Sequence, residues 1–172
     1  SRSFDLPTIA HPLDFQLGKK VELLGYDLGS TEATAGEQVE LTLYWRGRGA
    51  TIKPYKVFTH IGDGQQAPLA QHDGPPGEGC CPTNSWQIGE VVEDRHIIPL
   101  PIEMPAGTYQ LIVGMYDEDQ RQRLKVVDAQ GHELDNQQIP ITKFVVHPGS
   151  TPTPSWPERP YRLYLPVVQA DG

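Results

Sequence analysis

The plainest pattern along the chain is alternation of apolar and polar side chains. Val39, Leu41, Leu43 and Trp45 alternate with Glu40, Thr42, Tyr44 and Arg46, which predicts a strand with one wall in a core. Tyr109, Leu111, Val113 and Met115 form a second stripe, Tyr55, Val57, Thr59 and Ile61 a third, and residues 139–146 a closing strand. Residues 13–17 alternate as well, and the extended run 21–26 contains Gly25, which predicts a bulge or a close backbone approach. The run 89–100 sets Val92, Asp94, His96 and Ile98 on one face and Val91, Glu93, Arg95 and Ile97 on the other. Neither face is cleanly apolar, so it predicts a sheet-edge or bent strand, blunted by Pro99, Pro101 and Pro105. No stretch sustains a 3.6-residue period. Strand runs recurring at intervals of about 8–12 residues predict an all-β, immunoglobulin-like antiparallel β-sandwich of about eight or nine strands.

Composition sharpens this picture. The chain holds 17 Gly and 17 Pro in 172 residues, too much punctuation for long helices. Gly62-Asp63-Gly64 predicts a hairpin turn after the 55–61 strand. The returning strand opens at Gly74 into a loop that carries Cys80, Cys81 and Trp86. Tyr109, just after the turn Pro105-Ala106-Gly107-Thr108, fits the corner tyrosine of sandwich folds, whose hydroxyl bonds back to nearby backbone. The expected organisation is an entry arm over 1–12, the sandwich over 13–147, a linker rich in Pro, Ser and Thr over 148–160, and a short apolar tail over 161–172. That tail is of a kind that adds a strand to a sheet edge or serves as a sorting signal. A start at Ser1 without Met is expected of a fragment or a processed form. The formal charge of −8 would repel a polyanion, which argues against a nucleic-acid partner. No apolar run approaches the roughly 18 residues that would predict a membrane span.

Candidate chemistry gathers around the 74–87 loop. Cys80 and Cys81 are the only cysteines; they can close a vicinal disulfide ring, stay as free thiols, or link to another chain. His60 and His72 sit at the two ends of the hairpin with Asp73 adjacent, a set that would suit zinc or copper with help from His96 or Asp94. The simpler reading is that these histidines satisfy buried polar backbone. Asp117, Glu118, Asp119 and Asp128 lack the spacing of a calcium loop and read as solvated turns. Trp86, with Tyr44 and Tyr55, offers a platform for a sugar ring whose hydroxyls would meet Asp73, Asn84 and Gln87. Against it stands the more common fate of tryptophan, which is to plug a core. No motif calls for a cofactor or for nucleophilic catalysis.

Several phrases occur together: LLGYDL at 23–28, LTLYWRG at 41–47, YKVFTHI at 55–61, AQHDGPP at 70–76, PTNSW at 82–86, GEVVEDRHIIPLP at 89–101, and PAGTYQLIVGMYD at 105–117 with RL at 123–124. In that order they resemble a β-sandwich domain attached to the C-terminal side of membrane glycosyltransferases of the protein-mannosyltransferase type, especially in bacteria of the Chloroflexota. The Cys80-Cys81 pair departs from that pattern. The Thr-Pro linker and the phrase at 161–168 resemble C-terminal ends of secreted proteins of the same group. The resemblance implies a module on the outer side of the membrane without catalytic residues of its own. Together with the aromatic residues near the loop, this sets the expectation of a non-catalytic, extracytoplasmic module, secreted or at the cell surface, that binds glycan or positions a substrate or partner for a membrane glycosyltransferase. The alternative is a purely structural surface domain, anchored or self-associating through the 161–168 tail.

Overall fold

The computed structural model describes residues 1–150; most of the expected linker and all of the apolar tail lie outside them. Two sheets packed face to face make an immunoglobulin-like sandwich. In chain order the strands are β1 (His11–Leu17), β2 (Val21–Leu28), β3 (Glu32–Thr34), β4 (Gln38–Arg48), β5 (Lys56–Gly62), β6 (Ala70–Gly74), β7 (Ile88–Pro99), β8 (Gly107–Asp117), β9 (Gln122–Arg123), β10 (Val126–Asp128) and β11 (Ile139–His147). The first sheet has the order β10-β1-β2-β4-β7 and the second β3-β11-β8-β5-β6. The two-residue β9 pairs with β8 off the main path. All pairings are antiparallel except the short one between β3 and β11. The eleven strands exceed the expected eight or nine because the three-residue β3 lies in a stretch that reads as a turn, and the short strand expected over 123–127 divides into β9 and β10. No helix among the described residues is long and apolar enough to cross a membrane.

The core follows the stripes. Leu41, Leu43 and Trp45 of β4, Val57 and Ile61 of β5, and Leu111, Val113 and Met115 of β8 are all fully buried. Burial of each such side chain stabilises the fold by about 1.5–3 kcal/mol. Alternation breaks where the backbone bulges. In β2 the inward residues are Val21 and Leu23 and then Tyr26, because the register against β4 shifts between Leu23 and Gly25. A Cβ on Gly25 would stand 2.4 Å from the carbonyl oxygen of His11, so the close approach expected there is present. β11 shifts likewise between Pro140 and Thr142, which moves the inward set from Ile139 to Phe144 and Val146.

β7 is the edge of its sheet, as its mixed faces predict, and the face carrying Val92, Asp94, His96 and Ile98 is the buried one. Part of the exposed rim is covered by the entry arm: the Val91 N–H donates to the Ser3 carbonyl, and Arg2 pairs with Glu90 at 2.6 Å. Phe4 and Leu6 of that arm stay exposed. β5 and β6 form the expected hairpin, but the connection runs over 63–69 rather than closing at the Asp-Gly step. The Asp63 carboxylate holds it by accepting the N–H groups of Gln65 and Gln66.

Tyr109 forms the predicted corner, its hydroxyl donating to the Pro105 carbonyl at 2.6 Å. Tyr109→Phe removes this one bond and keeps the ring, so a loss of about 1 kcal/mol is expected in urea unfolding. An unchanged midpoint would mean that the bond contributes nothing to the turn.

Candidate functional site

The 74–87 loop is built into the body of the sandwich. Pro76, Thr83 and Trp86 are buried, and the Thr83 hydroxyl accepts the Tyr55 N–H at 2.9 Å. Trp86, 2% exposed, packs on Gly47, and its indole N–H donates to the Cys81 carbonyl at 2.7 Å. It therefore presents no face to a sugar. The other platform candidates are dispersed. Tyr44 lies buried on the outer face of the five-stranded sheet, where its hydroxyl donates to Asp27 at 2.6 Å. Burial and that carboxylate push the Tyr44 phenol up to about 12. Tyr55 lines a separate apolar depression with Leu17, Ile52 and Leu124. Asn84 and Gln87 are exposed, with no aromatic face presented beside them by Trp86. Cys80 and Cys81 are bonded to each other, and their sulfurs sit over Gly77.

The proposed metal set separates for a geometric reason. His60 pairs with Gln71 across the β5–β6 ladder and His72 with Thr59, and successive residues of a strand point to opposite faces. His60 faces outward and stands 3.5 Å from Asp73. His72 lies on the other face and, itself exposed, sets its Nδ1 2.9 Å from Nδ1 of the buried His96. Among the described residues no three His, Cys, Asp or Glu side chains converge as ligands. The acidic turns act as backbone caps: Asp117 accepts the Asp119 and Gln120 N–H groups, and Asp128 those of Gln130 and His132.

What His72 and His96 join instead is a polar chain that runs from the core at Trp45 and Asp94 to the surface at His72. Asp94, 0% exposed, accepts from Trp45 Nε1 at 2.9 Å, from His96 Nε2 at 2.7 Å and from the Gly77 N–H at 2.8 Å. The chain runs Trp45–Asp94–His96–His72 and joins the edge strands of both sheets to the cysteine loop. With His96 Nε2 donating to Asp94, the Nδ1 contact holds one proton between the two rings; a second would set two donors face to face. Burial and the adjacent His96 hold His72 below its ordinary value, outweighing Asp73, Asp94 and Glu78. The unfolded chain therefore binds this proton more readily than the folded one. The resulting stability is complete above the unfolded value near about 6.5 and is lost as pH falls through it toward the folded value. Equilibrium unfolding between pH 7 and 5 should show this loss, with a shallower slope for His72→Asn. Parallel slopes for the two proteins would remove His72 from the account.

The second cluster lies on the outer face of the six-stranded sheet. Phe58 faces outward from β5, opposite Gly114 of β8. A Cβ on Gly114 would stand 2.3 Å from Phe58 Cζ, so only glycine lets the ring lie flat on the strand. Arg123 of β9 covers that ring, its Cζ 4.4 Å from the centroid, a stacked cation–π geometry. The His60 and Tyr116 rings flank Phe58 at 4.8 and 6.3 Å. Arg123 Nη1 donates to the Asn136 carbonyl at 2.9 Å and to Gln138 Oε1 at 3.0 Å, while Gln138 Nε2 donates to the Gly64 carbonyl at 2.9 Å. Gln138 thus ties the guanidinium to the 63–69 loop. Burial lowers the Arg123 pKa, against the pull of Asp73, and burial followed by the Asp73 carboxylate raises that of Tyr116.

Two depressions open here and share Arg123 and His60. One, of about 300 Å³, lies between the 63–69 loop and residues Asn136 and Gln138. The other, of about 450 Å³, is lined by Phe58, Asp73, Tyr116 and Glu118 as well. Sequence reasoning placed His60 and Asp73 among its candidates but missed Arg123, Tyr116 and Gln138. Two signals pointed here: Phe58 is an aromatic on the face opposite the core stripe, and Gly114 is a glycine inside a strand, which marks close approach by another group. No family model and no curated protein matches the chain, so the resemblance to the glycosyltransferase-attached domain rests on the phrases of this sequence alone.

Proposed function

We propose that this chain is a non-catalytic, extracytoplasmic module that binds glycan on the outer face of its six-stranded sheet, as an accessory to a membrane glycosyltransferase. The observation that carries the reading is the Arg123 guanidinium stacked on Phe58 between His60 and Tyr116. Sugar rings offer C–H faces to flat groups and hydroxyls to planar donors and acceptors. Phe58 is itself 1% exposed beneath Arg123, so the flat groups offered outward are the guanidinium and the flanking His60 and Tyr116 rings, with the amides of Gln66, Asn136 and Gln138 at the wall. The bond between Cys80 and Cys81 is the state that an oxidising compartment sustains, which supports the extracytoplasmic part. The glycosyltransferase part is what the resemblance implies.

A glycan array probed with the purified chain tests this reading. Binding is expected to weaken about tenfold or more in Arg123→Ala and in Tyr116→Ala, since each removes a stacking or donor group. Tyr44→Phe, on the opposite sheet, should bind like the parent. A silent array, or binding indifferent to Arg123 and Tyr116, would leave the structural surface domain as the better description.

A further inference from the structure

We infer that the glycan recognised at this face is acidic, its carboxylate taken by the side-on edge of Arg123; this rests on the glycan reading above. Arg123 carries five N–H donors in a fixed fork. Both protons of Nη1 are committed, to the Asn136 carbonyl and to Gln138 Oε1. Nε and Nη2 have no acceptor among the described residues, and no ion pair within 4.0 Å involves this guanidinium. No buried side-chain nitrogen or oxygen is left unpartnered there, so these two donors reach solvent. They form the pair of parallel N–H groups that matches the two oxygens of a carboxylate.

The surroundings select the same chemistry. The depression of about 300 Å³ beside Arg123 is lined by histidine, amides, glycines and apolar groups, and no carboxylate lines it. In a chain of formal charge −8 that is a local reversal. Of the two acidic residues adjacent in sequence to its lining, Asp63 is turned back onto the Gln65 and Gln66 N–H groups, and the exposed Asp135 does not line the depression. Asp73 and Glu118 line the neighbouring depression, which Arg123 shares, and do not line this one. Gln138, itself held by Gly64, ties Nη1 toward the 63–69 loop. A uronate or similar acidic residue would place its carboxylate against Nε and Nη2, with ring hydroxyls toward Gln66 and His60.

The test is an array on which each acidic glycan is printed beside its methyl ester, which keeps the shape and removes the charge. The acid should bind about ten- to a hundredfold more tightly than its ester, the range expected for a charge-assisted pair. The preference should shrink with added salt. Arg123→Lys keeps the charge but loses the fork, and should lose most of the preference while its thermal transition stays near that of the parent. Equal binding of acid and ester overturns the acidic inference and leaves the glycan reading in place. No binding to any glycan overturns both. A preference that survives Arg123→Gln in a folded protein assigns the carboxylate to another group and also overturns the inference. If the Arg123 variants fail to fold, the comparison of acid with ester on the parent protein still decides.

Discussion

Asp94→Ala should lower the unfolding free energy by about 3–5 kcal/mol, because it leaves two buried donors and the part-buried Gly77 N–H without an acceptor at about 1–3 kcal/mol each, partly relieved by relaxation. The donors are Trp45 Nε1, His96 Nε2 and the Gly77 N–H, and the carboxylate that receives them is 0% exposed. Against the 5–15 kcal/mol typical of a whole domain, that is a large fraction. The effect should extend beyond the site, since Gly77 belongs to the cysteine loop and His96 reaches His72 on the other sheet. Asp94→Asn should cost less, because the amide oxygen still accepts, but it should not be neutral, because the amide N–H₂ then faces a donor. Urea unfolding followed by tryptophan fluorescence measures both. A loss below about 1 kcal/mol for the alanine variant would mean that the donors find other partners, and the three-way anchoring would be wrong.

Trp86→Ala should cost about 3–5 kcal/mol, as expected for deletion of a buried aromatic side chain. The indole fills the space over Gly47 and holds the Cys81 carbonyl, so its loss both opens a cavity and frees the loop. Had Trp86 been a sugar platform, the same substitution would abolish binding at unchanged stability. The two accounts separate in one pair of measurements, a thermal transition and a binding titration on the same sample. A variant as stable as the parent would return the tryptophan to the surface and reopen the Cys80–Trp86 loop as a site. Because Arg123 and Trp86 lie in different parts of the sandwich, their effects on binding should also separate. Trp86→Ala is expected to weaken glycan binding only as far as it unfolds the chain.

The sequence by itself determined the sandwich. Alternation in β4, β5 and β8 is a local property, and burying one wall of each strand leaves two sheets packed on those walls as the stable outcome. The edge character of β7, the close approach at Gly25 and the corner bond of Tyr109 were legible for the same reason, since each depends on neighbours a few residues away or on one glycine. The site was not legible, because it depends on which strands become neighbours. His60 and His72 look like partners along the chain, yet the two-residue period of a strand sends them to opposite faces. His72 instead meets His96 because β6 and β7 are the adjoining edges of different sheets. Arg123 sits on a two-residue strand with no periodicity to announce it. Pairing β9 with β8 lays its guanidinium on Phe58, and Gln138, brought in from just before β11, holds it there. Local pattern specifies what each strand buries; only the tertiary pairing decides which polar side chains end up beside one another on the faces left over.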